Sequence, residues 1–389
     1  MGQREWDESD VRVRPNKRGT RPRTKDRPSH DDAVIGRIVT VDRGRYRAIL
    51  DEDTPDERLV IAARARELRR MPVVPGDFVG LVGDVTGRPD TLARLVRVEE
   101  RETVLRRSAD DTDPIERVVV ANADQLVIVV AAANPEPRTG FIDRALVAAY
   151  DAGIEPLLLV TKADLKDPAG LLANYEQLPL TVVVSRTAET EPLADEDGAD
   201  TADGPDGSHG PDALDAIDAR GADGSSAKLD AAAVAALHDQ LDGHVTVLLG
   251  HSGVGKSTMV NALTGADRAT GGVNAVTGRG RHTSSSALAL RLTDATAGSW
   301  IIDTPGIRSF GLAHVDPDRI LQAFPDLEPG IDACERGCRH TASAVGCGLD
   351  AWVAEGNAGD AGPARLASLR RLLGTDPRDE AQEAKELGS

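Results

Sequence analysis

Between positions 33 and 105 apolar and polar residues alternate over short runs. AVIGRIVTVD, RYRAIL, RLVIAARA, DFVGLVGDV and TLARLVRV are rich in β-branched residues, and turn residues separate them at Gly44, Asp51 to Pro55, Pro75-Gly76 and Gly87 to Pro89. Period-two runs punctuated this way predict strands. Five of them predict a small closed β unit. An OB-type barrel has five strands and often holds oligonucleotides; the pattern alone does not separate it from an SH3-like barrel. From about Asp113 the texture changes. QLVIVVAAA reads as a fully buried strand and FIDRALVAAYDAG as an amphipathic helix closed by Gly153. PLLLVTKADL, LTVVVS, HVTVLLG, Ala287 to Leu292 and SWIIDTPG supply further strands. Strands alternating with helices predict a largely parallel sheet covered by helices. Beyond Phe310 the chain reads as helical and irregular, with helical spacing at Leu366, Leu369, Leu372 and Leu373.

Composition narrows this picture. The chain has 389 residues, a formal charge of -18 and only 3% aromatics, so its cores are built from Val, Leu, Ile and Ala. That length predicts two or three domains. No apolar run approaches the ~20 residues of a membrane span. MGQREWDESD lacks the apolar stretch of a secretory signal. Three cysteines make no disulfide framework, so the chain reads as cytoplasmic.

Taken whole, -18 opposes an RNA partner, because phosphates attract Lys and Arg. The charge is unevenly placed, however. Residues 188–230 hold thirteen acidic residues against two basic, and read as a disordered insertion that acts as a spacer or discourages stray RNA binding. Residues 376–389 add five acids against two bases and read as a disordered tail. Residues 1–32 are the reverse, nine bases against seven acids, and read as a disordered arginine-rich arm. Most of the acidic total therefore sits outside the predicted folded domains.

HVTVLLGHSGVGKSTMVNALTG carries Gly250-x4-Gly255-Lys256-Ser257 between a strand and an amphipathic stretch. That is the context a phosphate loop requires. Backbone N–H groups of Gly250, His251, Ser252, Gly253, Val254, Gly255, Lys256, Ser257 and Thr258 would cradle phosphate oxygens, Lys256 would reach the β- and γ-phosphates, and Ser257 would bind Mg²⁺. Asp303-Thr304-Pro305-Gly306 ends another strand, where Asp303 suits a Mg²⁺ contact and Gly306 a γ-phosphate amide contact.

Thr161-Lys162-Ala163-Asp164 stands where guanine-nucleotide proteins carry Asn-Lys-x-Asp. The Asp164 carboxylate would accept from guanine N1 and N2; facing adenine it would be left unpaired, which is costly in a buried site. Thr161 replaces the usual Asn, so weaker bracing of the base loop is expected. Ser185 occupies the position of a second base-binding loop. Gly278 to Ser285 has the glycines and hydroxyls of a first switch, with Thr283 completing Mg²⁺ coordination. The order is unusual: base-reading motifs precede the phosphate loop, which is a circular permutation. It places the chain exit beside the switch strand.

Cys334-x3-Cys338-x-His340-x6-Cys347 gathers every cysteine of the chain with one histidine. Three thiolates and one imidazole match a structural zinc site.

Together, GHSGVGKSTMVNAL, GRGRHTSSS, DTPGIRSFGL, FPDL and the cysteine–histidine cluster resemble the bacterial ribosome small-subunit-dependent GTPase A (RsgA) family, from about Ala33 to Leu373. The resemblance implies an OB-fold RNA-binding domain over 33–105, a circularly permuted GTPase domain over 106–325 and a small α-helical zinc domain over 326–375. It implies a monomer that binds GTP and GDP, uses Mg²⁺ and one structural Zn²⁺, and meets the small ribosomal subunit and its rRNA without a membrane. The expected function is GTP hydrolysis in late small-subunit maturation near the decoding centre, stimulated by the subunit and followed by release. Lys256, Thr283 and His282 are the expected catalytic residues. His282 stands in for the glutamine that many GTPases place after DxxG, where this chain has Ile307; contact with RNA is its other reading. The family's zinc motif has four residues between its first two cysteines and five before its last; here there are three and six, which puts Cys338 off the usual register. A permuted GTPase of the large subunit, or an RNA-binding module gated by nucleotide, is the alternative function.

Overall fold

The computed structural model describes residues 30–42, 44–68, 71–108, 115–186, 229–266, 287–305, 311–312, 314–340, 344 and 346–373. Residues 1–29, most of the insertion, the switch with His282 and Thr283, Gly306, Ile307 and the 376–389 tail lie outside them.

The five alternating runs form β1 (Val34–Asp42), β2 (Arg45–Leu50), β3 (Arg58–Arg64), β4 (Phe78–Gly83) and β5 (Ala93–Val98). They pair in the order β1-β2-β3-β5-β4, and β4 returns to β1, closing a barrel. β3 and β5 run parallel, while the other pairings are antiparallel. The inward positions of the alternation, Ile38, Tyr46, Ala48, Leu50, Val60, Ala62, Val79, Leu81 and Leu95, fill its core.

A hairpin that the hydrophobic pattern did not reveal follows, β6 (Val104–Arg107) with β7 (Arg117–Ala121). β6 runs across position 105, where the first domain was expected to end. The α/β region then comprises β8 (Gln125–Ala131), α1 (Thr139–Ala152), β9 (Glu155–Thr161), α2 (Ala169–Leu172), β10 (Thr181–Val184), α3 (Ala231–Leu241), β11 (Val245–Gly250), α4 (Lys256–Thr264), β12 (Leu288–Arg291) and β13 (Trp300–Asp303). β10-β9-β8-β11-β13 are parallel, and β12 is antiparallel to β13. Both faces of β8, β9, β11 and β13 are buried, which is why they read as continuous apolar runs. Leu126, Ile128 and Val130 of β8 face α1, with Val247, Leu249 and Ile302 on the same side. Val127, Val129, Leu248 and Ile301 face the other way, against α3 and α4. The helices α5 (Pro317–Gln322), α6 (Gly348–Ala354) and α7 (Gly362–Leu373) complete the chain, and Ile320, Phe324, Leu327, Leu349, Leu366 and Leu369 join the α1 side of the core. Among the described residues no helix is long and apolar enough to cross a membrane.

The barrel and the parallel sheet are continuous, because Thr40 of β1 pairs with Leu288 of β12. The Pro75-Gly76 turn adds a second attachment. Ala121 N donates to Pro75 O at 3.2 Å, and Asn122 Nδ2 donates to Gly76 O at 2.9 Å. Gly76 has φ +90°, and a Cβ there would sit 1.9 Å from Ala121 O. Gly76→Ala is therefore expected to lower stability by at least about 2 kcal/mol. Chemical denaturation checks this; an unchanged midpoint would show that the turn is free to shift.

Candidate functional site

The parallel strands end at one edge of the sheet, and in such sheets ligands bind beyond the carboxyl ends, where successive connections diverge. Here that point lies between β8 and β11, since the chain fills β9 and β10 to one side and β13 to the other. The sequence-predicted loops converge on it. β11 ends at Gly250, the loop 251–255 follows, and α4 begins at Lys256 with Gly255 as its N-cap in the left-handed conformation, φ 88°. That conformation suits glycine and turns successive N–H groups toward the mouth of the helix, where an anion is favoured.

Lys256 is 7% exposed. Its Nζ lies 2.7 Å from Asp303 Oδ1 and also donates to Thr304 O. Thr304 Oγ1 in turn donates to Leu248 O at 2.7 Å, fixing the end of β13 to β11. The phosphate-loop lysine and the DTPG aspartate, 47 positions apart, thus form one buried ion pair.

The residues expected to read the base are tied to one another and to the phosphate loop. Ala163 N donates to Ser185 O at 3.1 Å, and Ser185 N donates to Val160 O at 2.8 Å, so the ends of β9 and β10 are locked together. Ser185 is buried, while Asp164 is exposed beside Lys162. Lys162 Nζ donates to Gly253 O at 2.8 Å and to Asn134 O. Burial lowers the Lys162 pKa, and Asp164 opposes that shift.

Thr161 makes a contact that its sequence position does not reveal. It is 4% exposed, and its Oγ1 lies 2.6 Å from Val254 O and 3.2 Å from Val130 O. The hydroxyl has one proton, which the shorter contact takes. The threonine therefore ties the end of β9 to the phosphate loop. We predict that Thr161→Val, which strands the Val254 carbonyl, weakens nucleotide binding about tenfold, and that Thr161→Asn stays within about threefold of the parent. Equal affinity for the valine variant would rule the brace out.

Two contributors carried no sequence signal. Phe141 of α1 packs on His251 with ring centroids 4.2 Å apart, and Asn134 receives Lys162 through its backbone. Both follow from tertiary placement alone. His282, Thr283 and Gly306 lie outside the described residues.

A second centre lies after α5. Ligand atoms of Cys334, Cys338, His340 and Cys347 all fall within 4.8 Å of one another, Cys338 included. Cys334 Sγ is 3.9 Å from Cys347 Sγ and 3.4 Å from His340 Nδ1, and Cys347 Sγ is 3.6 Å from the same nitrogen. Zinc with bonds of ~2.3 Å to sulfur and ~2.0 Å to nitrogen has tetrahedral edges of roughly 3.5–3.8 Å, so the donor set fits that ion through Nδ1. Gly348 N, 3.1 Å from Cys334 Sγ, and His340 N, 3.4 Å from Cys338 Sγ, donate to the sulfurs. Such outer hydrogen bonds orient metal-binding thiolates. Burial, and then Arg370, lowers the His340 pKa, which favours the neutral imidazole that a metal takes.

A phosphate loop on the central strand, reached after the base-reading loops rather than before them, defines a circularly permuted P-loop nucleotide-binding fold. The chain belongs to the RsgA GTPase family, whose model matches residues 98–195 and 217–313. It is 37% identical over 261 residues to the small ribosomal subunit biogenesis GTPase RsgA of Pseudomonas aeruginosa (strain LESB58), a match covering 67% of this chain and 64% of that one. It is 35% identical over 287 residues to the protein of the same name from Pseudomonas savastanoi pv. phaseolicola, covering 72% and 69%. Among solved structures, YjeQ from Thermotoga maritima superposes with a TM-score of 0.56 at 20% identity, covering 88% of this chain and 99% of that one. YloQ, described as a circularly permuted GTPase, gives 0.54 at 18% identity, covering 90% and 99%. The chain thus spans 64% of the length of the first relatives.

Proposed function

We propose that this protein is a GTP hydrolase acting in late maturation of the small ribosomal subunit. On this reading it binds near the decoding centre, is stimulated by the subunit and leaves on hydrolysis. The observation that carries the proposal is the joining of the base loop to the phosphate loop. Thr161 and Lys162 reach Val254 O and Gly253 O, so the loop that reads guanine and the loop that holds phosphate form one cradle. The name shared by the relatives supports the choice of the small subunit over the large.

The chemistry is attack of water on the γ-phosphorus. The bond to the β–γ bridging oxygen breaks, GDP leaves and the water's proton passes to the released phosphate. Such transfer is helped mainly by positioning and charge. Backbone amides of 250–257 hold the phosphates, and Lys256 leans between its Asp303 partner and the β,γ-oxygens. Ser257, Thr283 and Asp303 are the residues that would hold Mg²⁺, which supplies charge neutralisation when bound. Asp164 selects guanine, and His282 orients the water. Cys334, Cys338, His340 and Cys347 would hold Zn²⁺ as a structural ion.

The domain assignments follow the same reading. The barrel order β1-β2-β3-β5-β4, with parallel β3 and β5, supports an OB-type barrel rather than an SH3-like one. Its outer face supports a nucleic-acid partner: exposed Arg45 and Arg94 flank Ala63 in one cross-strand row, and exposed Arg47 stands opposite Ile61 in the next. The protein then acts as a cytoplasmic monomer.

GTP turnover with and without purified small subunits, with ATP as control, tests the proposal. Stimulation with GTP alone is expected, and His282→Ala should abolish it while leaving GTP affinity nearly unchanged. Stimulation by large subunits only would favour the alternative partner, and equal ATP turnover would remove the role of Asp164.

A further inference from the structure

The route from the barrel to the nucleotide site is short. Thr40 of β1 pairs with Leu288 of β12, and Leu288 pairs with Asp303 of β13. Two strand spacings of ~4.8 Å therefore separate the barrel from the buried carboxylate that grips Lys256. At the far end of the same β12–β13 ladder Arg291 pairs with Trp300, and there the barrel makes a second hold. The Arg291 guanidinium lies 4.5 Å over the Trp300 ring and forms ion pairs with Asp53 and Glu57 from the β2–β3 loop. Trp300, 2% exposed, donates its indole N–H to Glu52. Glu52 pairs with Arg37 of β1 at 2.8 Å, and the Arg37 guanidinium stacks 4.5 Å over the Phe78 ring and lies 5.8 Å from the centre of the Trp300 ring. Cations and aromatic rings thus alternate, Phe78, Arg37, Trp300, Arg291, with three barrel carboxylates along them.

Stability does not explain the Arg291 ion pairs. The Arg291, Asp53 and Glu57 side chains are 32%, 28% and 32% exposed, and ion pairs so accessible are typically worth under ~1 kcal/mol. Val39 and Ile49 already provide apolar adhesion between barrel and sheet. What a forked, stacked arginine adds is orientation, because bidentate and stacking geometry fixes angles that an aliphatic contact leaves loose. The loop that supplies the carboxylates has a defined local shape. Asp51 and Asp53 have φ of 50° and 62°, and Asp53 N donates to Glu57 Oε2 at 2.9 Å.

We propose that Arg291 and Trp300 are positioning residues for the hydrolysis reaction: through β12 and β13 they fix the barrel relative to Asp303, so that what the barrel binds sets the turnover. The proposal rests on the GTPase reading. Coupling of this kind is reciprocal, so the nucleotide must also be felt at Trp300.

The test uses the full chain. Arg291→Ala should lower subunit-stimulated kcat about tenfold, with half-saturation by subunits, unstimulated turnover and unfolding midpoint all within about twofold of the parent. Arg291→Lys, which keeps the charge but loses the fork, should recover only part of the loss. A second readout needs no partner. The emission assigned to Trp300, by difference from Trp300→Phe, should shift between GDP and a non-hydrolysable GTP analogue in the parent and not in Arg291→Ala. Full stimulation of Arg291→Ala, an equal fall in stimulated and unstimulated turnover, or no shift in the parent would each overturn the proposal. A parent that small subunits fail to stimulate, but whose Trp300 still follows the nucleotide, would sink the partner assignment and uphold the coupling.

Discussion

Lys256→Ala is expected to lower kcat for GTP by at least about 10²–10³-fold, the range seen when one preorganised hydrogen-bond donor is removed from a transition-state cradle. The ammonium is the one side-chain cation at the first turn of α4 and is buried there. The same substitution also takes the paired ammonium away from Asp303, 3% exposed at its side chain. Breaking a buried pair by removing one member costs roughly 3–5 kcal/mol. Two losses are thus expected, one in rate and one in stability, and they separate. Lys256→Ala combined with Asp303→Asn removes the buried charge that lost its ammonium and should recover most of the unfolding midpoint, with turnover still at least as low as in the single variant. Saturating GTP at a temperature where the single variant is fully folded gives the rate effect alone. A single-variant kcat within tenfold of the parent would place the phosphate-stabilising charge elsewhere.

The residues of that prediction were legible in the sequence for a physical reason. Phosphate loops use backbone amides, so glycines must stand at fixed spacing, and the strand before and helix after leave their own periodicities. The cysteine–histidine cluster was legible because thiolates and an imidazole are scarce and metal chemistry demands their proximity; the geometry groups Cys338 with the others despite its shifted spacing. The five barrel strands and their closure followed from alternation alone. What stayed hidden depends on contacts between distant positions. Thr161 reads as a lost asparagine until its hydroxyl is seen 2.6 Å from Val254 O, 93 positions away. β6 and β7 are four and five residues long, too short to show a period. Arg291 and Trp300 are ordinary residues on predicted strands, and only register places them against Glu52, Asp53 and Glu57. Arg365 is hidden for the same reason, since an arginine in a helical pattern reads as a solvated face.

Arg365→Met should destabilise the protein by about 3–5 kcal/mol, the usual result of removing one member of a buried ion network. Arg365 of α7 has a side chain only 4% exposed, and those of Asp143 and Asp326 are 3% and 2% exposed. The guanidinium spans them: Nη2 and Nε lie 3.0 and 3.2 Å from the two Asp326 oxygens, and Nη1 lies 3.5 Å from Asp143 Oδ1. It also stacks 4.2 Å over Phe324. One side chain therefore ties α7 and the segment before the cysteine–histidine cluster to α1. Burial raises the Asp143 pKa, against the lowering effects of the Ser368 hydroxyl and Arg365. Without Arg365 that carboxyl should rise further. A carboxyl whose folded pKa exceeds its unfolded value binds more protons when folded, so stability falls as pH rises from about 4 through the raised value. Arg365→Met should consequently lose more stability between pH 5 and 7.5 than the parent does. Adding Asp143→Asn and Asp326→Asn removes both stranded charges, and should return at least half of the lost stability and flatten the pH dependence. Urea denaturation at the two pH values, followed through Trp352, whose indole N–H donates to Asp326 O at 3.0 Å, reads the parent and both variants. A single variant that is destabilised by under 1 kcal/mol, with the parent's pH dependence, would mean that α7 is held by its apolar face alone.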